Sequence, residues 1–523
     1  MWSRENFDDD WLPCARPPYS FYNDFIEAYW EGGASEQTAA CIHRICTLAR
    51  KMEACSFLME DVSARPDVAA EIDHLQSFSP GVQGLVSARA ITFLTSRRPR
   101  APQKSVPKED GVIGHLVIIS FPVRDGRRSY LYEAIIRVPG KRNVQLLNNN
   151  LTTACRLSFR AWGTEMRIPA SYFCQQNGVT SICAHSAVRG LIRTKTGRSV
   201  STAELNEFWG FESPADAVDS REVIRALRHN KLDAVPYHVD GRKLSLGQAT
   251  KNDTIWSLLA GLADSGAPAL LMLGGEGQVD HVISVLGHTF NSDEWHPLGT
   301  ALHVNGHSHF ASSSLWIDHL VIHDDLLGPY YCLSRAGLFQ EDPAAPRPRH
   351  VIALLPSGAS VSPTLAEDAG RQLLEQLIKA VKVQGLGKGR WWDMLTQRRE
   401  RWLFRATLID RESWCDGVER QAPESRVGQR LARKLLATLP PQVWMCELSL
   451  PNLFLANSAK LGEILINPNE FDVDDPLAAI LAFRLPSLIG WPDPKRKGTF
   501  VANAWPERGL TLIHAPYRHQ NWW

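Results

Sequence analysis

The segment "SYFCQQNGVTSICAHSAVRGLIRT" (171–194) places a cysteine, Cys183, where a polar loop gives way to an apolar stretch. Ala184, Ala187, Val188, Leu191 and Ile192 follow it at the spacing of one helix face. Thr180 and Ser181 are candidate caps, which puts Cys183 in the first helical turn. A helix N-terminus offers free N–H groups and the positive end of the helix dipole, and both favour a thiolate. The same N–H groups can hold an oxyanion. Gln175 and Gln176 lie just upstream, where a side-chain amide would add a second donor.

A thiolate nucleophile needs a base, and the base needs a partner that fixes its tautomer. "VDHVISVLGH" begins a strand-like run at His281, and "HLVIHDDLLGPYY" ends another at Asp324 and Asp325. In an antiparallel sheet, a histidine at the start of one strand can face a carboxylate at the end of its neighbour. Either aspartate can serve at this stage. His185 lies two residues after Cys183, about 200° around a helix, so it points away from the thiol and reads as a core histidine.

Glutamine, cysteine at a helix start, His-Val-x-x-Val-x-Gly and a strand closing on Asp resemble the papain-like cysteine peptidases. The likeness is greatest to the bacterial leader-cleaving peptidases and their C39-type relatives, and it covers about Met166 to Leu333. "APALLMLGG", ahead of the histidine, resembles the buried strand that leads into it in that family. The resemblance implies Cys183 as nucleophile, His281 as base, Asp324 as orienting residue and Gln176 as oxyanion donor. Both glutamines lie further from the cysteine than the family's glutamine does, so Gln175 stays open as the donor. Ala184 stands where relatives often have Trp or Gly. Asp325 stands where they commonly have Pro, so it stays open as the partner of His281.

Other elements must hold these groups in place. Residues 20–95 read as mainly helical, and "RRPRAPQKSVPKED" (97–110) as a linker. "HLVIISFPV" and "SYLYEAIIRV" read as a hairpin turning at Asp125-Gly126, and "NVQLLNN" as a further strand. Helices are expected within 201–232 and over "TIWSLLAGLADSG", and strands over "DAVPYHV", "APALLMLGG", "HVISVLGHTF" and "HLVIHDD". After a break at "EDPAAPRPRH", Ser362-Pro363 starts a helix that Gly385 would end. Five strand-like runs follow, with nine of the seventeen tryptophans at or beyond Trp391. That enrichment reads first as core packing and second as a recognition surface. Helices ahead of antiparallel strands give an α+β fold class. The expected division is 1–110, mainly helical region and linker; 111–165, β-hairpin region; 166–345, papain-like core; and 346–523, a Trp-rich α+β domain.

Composition narrows the function. Of 523 residues, 44% are apolar and 22% charged, and the net charge is +1, which gives no reason to expect a nucleic-acid or membrane partner. The N-terminus lacks a signal-peptide pattern, and no apolar run has transmembrane length. Ten cysteines without a Cys-x-x-Cys pair read as reduced thiols of an intracellular protein. The histidines of "HVNGHSHF" (His303, His307 and His309) lack the cysteine pair or helical frame of a metal site. "LGGEGQ" lacks the Gly-Lys-Ser/Thr of a phosphate loop and reads as a turn. "KRKG" reads as a solvated loop. The expectation is a cytoplasmic, bacterial cysteine peptidase with no cofactor and no metal. It would act on a peptide or isopeptide bond of a protein substrate, with a complex partner held by a flanking domain. Acyl transfer or deamidation on the same triad, or an inactive binding scaffold, are the alternatives.

Overall fold

The structure, a computed structural model, describes residues 11–13, 36–78, 86–95, 111–123, 126–138, 149–151, 155–211, 218–239, 250–275, 281–289, 302–304, 308–342, 345–356, 358–384, 387–397, 402–421, 433–496, 498–505 and 511–512. It is α+β, with helices layered between sheets that are antiparallel but for one strand pair. Among the described residues no helix is long and apolar enough to cross a membrane.

The N-terminal sheet contains β1 (Trp11–Pro13), β2 (Ser56–Asp61), β3 (Ser87–Leu94), β4 (Val112–Val123), β5 (Gly126–Arg137), β7 (Cys155–Ala161) and β8 (Thr164–Phe173). Its order is β1-β2-β3-β4-β5-β8-β7, so one sheet crosses residues 110 and 165. β6 (Asn149–Leu151) pairs elsewhere, with a strand of the central sheet, and the rest of "NVQLLNN" lies outside the described residues. Helices α1 (Glu36–Lys51) and α2 (Pro66–Phe78) form as expected, but the helical reading fails over 56–61 and 87–94. Leu58 and Met59 favour helix on propensity. Pairing of Ser56–Asp61 with Arg89–Leu94 overrides it, and Phe57, Leu58 and Met59 are buried. "NDFIEAYW" lies outside the described residues.

Next come α3 (Cys183–Thr196), α4 (Thr202–Trp209), α5 (Ser220–His229), β9 (Ala234–His238), α6 (Lys251–Asp264), β10 (Ala269–Gly274) and β11 (His281–Thr289). Beyond them lie β12 (Leu302–Val304), β13 (Ser308–Ser312), β14 (His319–Asp324), β15 (Gly328–Ser334) and β16 (Arg347–Leu354). The central sheet runs β15-β14-β11-β10-β16-β9, with β6 added to β11. β10 explains its unbroken apolar sequence. Leu270 and Met272 face a core shared with α1, α3 and the N-terminal sheet. Ala269 and Leu271 face a second core on the other side. A strand covered on both faces needs no polar alternation.

That second core includes α6, α7 (Pro363–Gln384) and the third sheet. The third sheet contains β12, β13, β17 (Trp402–Asp410), β18 (Gln442–Ser449), β20 (Gly462–Ile466), β21 (Ile480–Leu485), β22 (Leu488–Pro492) and β23 (Phe500–Ala504), while β19 (Ala459–Lys460) lies off it. α7 starts after Ser362, whose hydroxyl accepts from the Leu365 N–H. Gly385 lies outside the described residues. The central and C-terminal parts thus pack as one body, with β16 of the central sheet lying beyond residue 345. Of the tryptophans at or beyond Trp391, Trp392, Trp402, Trp414, Trp444 and Trp505 are buried, as the packing reading expects.

Candidate active site

Cys183 is the first residue of α3 and is partly exposed. The five apolar positions expected on one face are all buried, and so are Ser186, Arg189 and Gly190, so nearly the whole helix is enclosed. Gly197 ends it in the left-handed conformation, with φ 73°.

The cap differs from expectation. Neither Thr180 nor Ser181 caps the helix, because Asn177 has claimed both. The Asn177 N–H donates to the Ser181 hydroxyl, and its amide nitrogen donates to the Thr180 hydroxyl. Asn177 Oδ1 in turn accepts from the N–H groups of Val179, Thr180 and Ser181. The helix entry at Ile182 is braced by a side chain from inside the helix. His185 Nδ1 accepts from the Ile182 N–H at 3.2 Å, and Nε2 donates to Asn206 Oδ1 at 2.8 Å. His185 is fully buried, and burial holds its pKa at about 3, so the ring is neutral. It is the core histidine the sequence suggested, and it also positions the start of α3. No side-chain oxygen caps α3, and the His185 N–H turns back to the Ile182 carbonyl at 3.0 Å.

β11 and β14 are antiparallel neighbours. Ser284 lies opposite His323, so the register carries Asp324 and Asp325 toward the His281 end. The β14–β15 ladder slips between Ile322 and Asp324, a local irregularity that re-aims the carboxylates. His281 Nε2 is 3.2 Å from Asp324 Oδ2 and 3.8 Å from Asp325 Oδ1. The Nε2–H is not well aimed at either oxygen. The Cys183 thiol is among the neighbours that raise the His281 pKa, so the two side chains face each other. Burial pushes the His281 pKa down. The close approach of Asp324 and Cys183 and the charges of Asp324 and Asp325 outweigh it, raising the pKa to about 10.

The two aspartates differ in environment. Asp324 Oδ1 accepts from the N–H groups of Leu326 and Leu327, which leaves Oδ2 for His281. The Asp325 side chain is 2% exposed, and neither oxygen has a well-formed hydrogen bond. Burial pushes its pKa up to about 6 and the Asp324 charge adds to that, while the His281 charge and the backbone N–H groups of Asp325 and Gln176 oppose it. A cavity of about 10 Å³, room for one water, lies between α3 and the central sheet, with Cys183, Ser186, His323 and Asp325 in its wall.

The glutamines separate. Gln175 is buried, and its amide accepts from the Leu131 N–H at 3.1 Å and donates to the Asp325 carbonyl at 2.8 Å. It also reaches Cys41 Sγ at 3.1 Å. This amide is committed to the fold, bridging Leu131, Cys41 and Asp325. Gln176, the next residue, is partly exposed.

Sequence reading missed the support that comes from α1. Cys41 Sγ reaches the Asp325 carbonyl, and Arg44 binds the carbonyls of Pro329 and Tyr330. Gly328, at φ +100°, packs its α-carbon against Arg44, where a Cβ would meet the arginine stem at 3.1 Å. α1 therefore braces the loop that presents the aspartates. His303 and His309 lie opposite each other on β12 and β13, and His307 lies outside the described residues. Among the described residues, the cluster with metal-ligand spacing is His281, Asp324 and Asp325, whose donor atoms all lie within 4.8 Å of one another.

No family model matches this chain, and neither does any curated protein or solved structure.

Proposed function

We propose that this protein is a papain-like cysteine hydrolase that cleaves a peptide or isopeptide bond of a specific protein substrate. The carrying observation is the meeting of Cys183, His281 and Asp324, brought by a helix and two strands far apart in the chain. The Cys183 thiolate attacks the carbonyl carbon. The helix N-terminus and the Gln176 amide take the oxyanion charge. His281, protonated at Nδ1, gives that proton to the leaving amine as the tetrahedral intermediate collapses to a thioester. His281 then takes a proton from water, which attacks the thioester and frees Cys183. The Asp324 carboxylate, 3.2 Å from Nε2, holds the ring's charge and orientation. The reaction needs no cofactor. A cytoplasmic, bacterial setting fits the reduced cysteines and the family resemblance.

The test is the alkylation rate of each cysteine in the full chain at pH 6, read by mass spectrometry. Cys183 should react at least about 10-fold faster than any other cysteine, and His281→Ala should remove that advantage. A Cys183 no faster than the rest ends the catalytic reading. Peptide products then separate cleavage, which yields fragments, from deamidation, which adds a little mass without fragmenting.

A further inference from the structure

His281, Asp324 and Asp325 present more ligand capacity than a triad uses. A triad needs one carboxylate on the imidazole, and here two converge on Nε2, at 3.2 and 3.8 Å. Zinc-class bonds of about 2.0–2.1 Å in a tetrahedral set hold donor atoms about 3.3 Å apart. These atoms therefore already stand near the spacing of a metal's ligands, and all fall within 4.8 Å of one another. Asp324 Oδ1 is engaged by the turn, but Oδ2 is not. Asp325 supplies the second, independent observation. Its carboxyl is almost fully buried and aimed into the cluster, and neither oxygen has a well-formed hydrogen bond. A buried carboxylate is costly unless a cation or a proton answers it, and the one imidazolium near Asp325 is shared with Asp324.

We propose that His281 Nε2, Asp324 and Asp325 form a reversible site for a zinc-class divalent cation that switches the hydrolase off. One imidazole nitrogen with two carboxylates suits zinc and its neighbours better than magnesium or calcium, which prefer oxygen alone. Three protein ligands leave a fourth position open, the pattern of an exchangeable rather than a closed site. Binding replaces the Nε2 proton, which leaves to solvent, and no group changes oxidation state. The imidazole then can no longer be the doubly protonated partner of the thiolate. Its Nδ1 is a poor base while Nε2 holds a dication. The inference rests on the reading of His281 as the base, so its test must separate the two.

The experiment measures zinc binding to the full chain by competition with a chromophoric chelator, with a phosphine reductant present. Cys183 alkylation is followed in the same samples. Wild type and Cys183→Ser should each bind about one equivalent through this site, and Asp325→Asn should weaken binding at least about 10-fold. Saturating zinc should slow Cys183 alkylation at least about 10-fold in wild type and much less in Asp325→Asn. Circular dichroism checks the fold of Asp325→Asn, and His281→Gln is the second variant should it misfold. Zinc binding that Asp325→Asn and His281→Gln both leave intact overturns the proposal. So does binding that only Cys183→Ser removes, because the metal would then sit on the thiol. If Cys183 shows its His281-dependent reactivity and zinc does not bind, the hydrolase stands and the switch falls. If zinc binds through Asp325 but metal-free Cys183 is inert, there is no hydrolase for the ion to switch, and the proposal falls with that reading.

Discussion

β11 carries a histidine near each end, and each faces a buried aspartate. His288 Nε2 lies 2.8 Å from Asp264 Oδ1, within a chain of buried charges. Arg405 links Asp264 to Glu447, Lys460 links Glu447 to Glu463, and Arg484 and Trp414 close on Glu463. Burial would raise the Asp264 and Glu463 carboxyls, but Arg405 and His288 hold the first at about 2. Arg484 and Lys460 do the same for the second. At the other end, His281 meets Asp324 and Asp325 at looser geometry. His281 Nε2, both Asp325 oxygens, Ser186 Oγ and His323 Nε2 are buried there without a well-formed hydrogen bond. One histidine–aspartate pair is saturated by its surroundings, and the other keeps valences over. Saturation makes a brace between two sheets, and leftover valence makes a place for chemistry.

The strongest way to break this contrast is to remove one central group from each end. Arg405→Met leaves Asp264 and Glu447 buried without their shared cation, which should cost about 3–5 kcal/mol in urea unfolding. Cys183→Ser should shift the same midpoint by less than about 1 kcal/mol. His281→Gln should cut Cys183 alkylation about 100-fold. An Arg405→Met protein of wild-type stability would show that the network is no brace. A large stability loss in Cys183→Ser would show that the thiol is structural.

Acid should part the two ends at different pH. His185, which braces the start of α3, is held at about 3 by burial, against about 6.5 in an unfolded chain. Between those values the unfolded state binds the proton and the folded state does not. The stability present above pH 6.5 is therefore lost as pH falls through that window. Asp264 is depressed from 3.8 to about 2, so its contribution holds until the pH falls below 3.8. At pH 5 the helix start should have lost up to about 2 kcal/mol of protection while β17 and β18 keep theirs. Hydrogen exchange of peptides over 177–196 and 402–449, corrected for intrinsic rate, reads this directly. Equal loss in both peptides would mean that the ends do not differ in this way.

How much of this was legible in the sequence follows from how local each signal is. The face of α3, its glycine stop and the buried β10 are written in residues a few positions apart. So are the histidine and aspartates at the ends of β11 and β14, because strand ends carry their own punctuation. The strand β2 was hidden because Leu58 and Met59 favour helix until β3 pairs with them. Asn177, which takes both expected caps of α3, had a visible sign in Asn-Gly, a turn dipeptide. The charge network also had a sign. Arg405, Glu447, Glu463 and Arg484 are lone charges within apolar strands, and such charges are seldom buried without partners. Which charge meets which could not be read, because α6, β11 and five strands of the C-terminal part meet only in the fold. The bracing of Asp325 by Cys41 was hidden by a separation of 284 residues.

The adjacent residues Gln175 and Gln176 repeat the contrast between saturated and unsaturated groups at the smallest scale. Gln175→Ala strands the Leu131 N–H and leaves the Asp325 carbonyl only the weak Cys41 thiol, which should cost about 1–3 kcal/mol in unfolding. Gln176→Ala should leave stability unchanged. Its effect should appear with peptide aldehydes, whose adduct with Cys183 places an oxygen where the reaction builds the oxyanion. Their affinity should fall up to about 100-fold in Gln176→Ala. Alkylation by iodoacetamide makes no oxyanion and should not change. A uniform fall in both reagents would mean that Gln176 acts on the thiol rather than on the oxyanion. If Gln175→Ala instead weakened the aldehydes and left the fold intact, the two glutamines would exchange roles. The amide that bridges β5, α1 and the aspartate loop would then have to let go of its partners during catalysis.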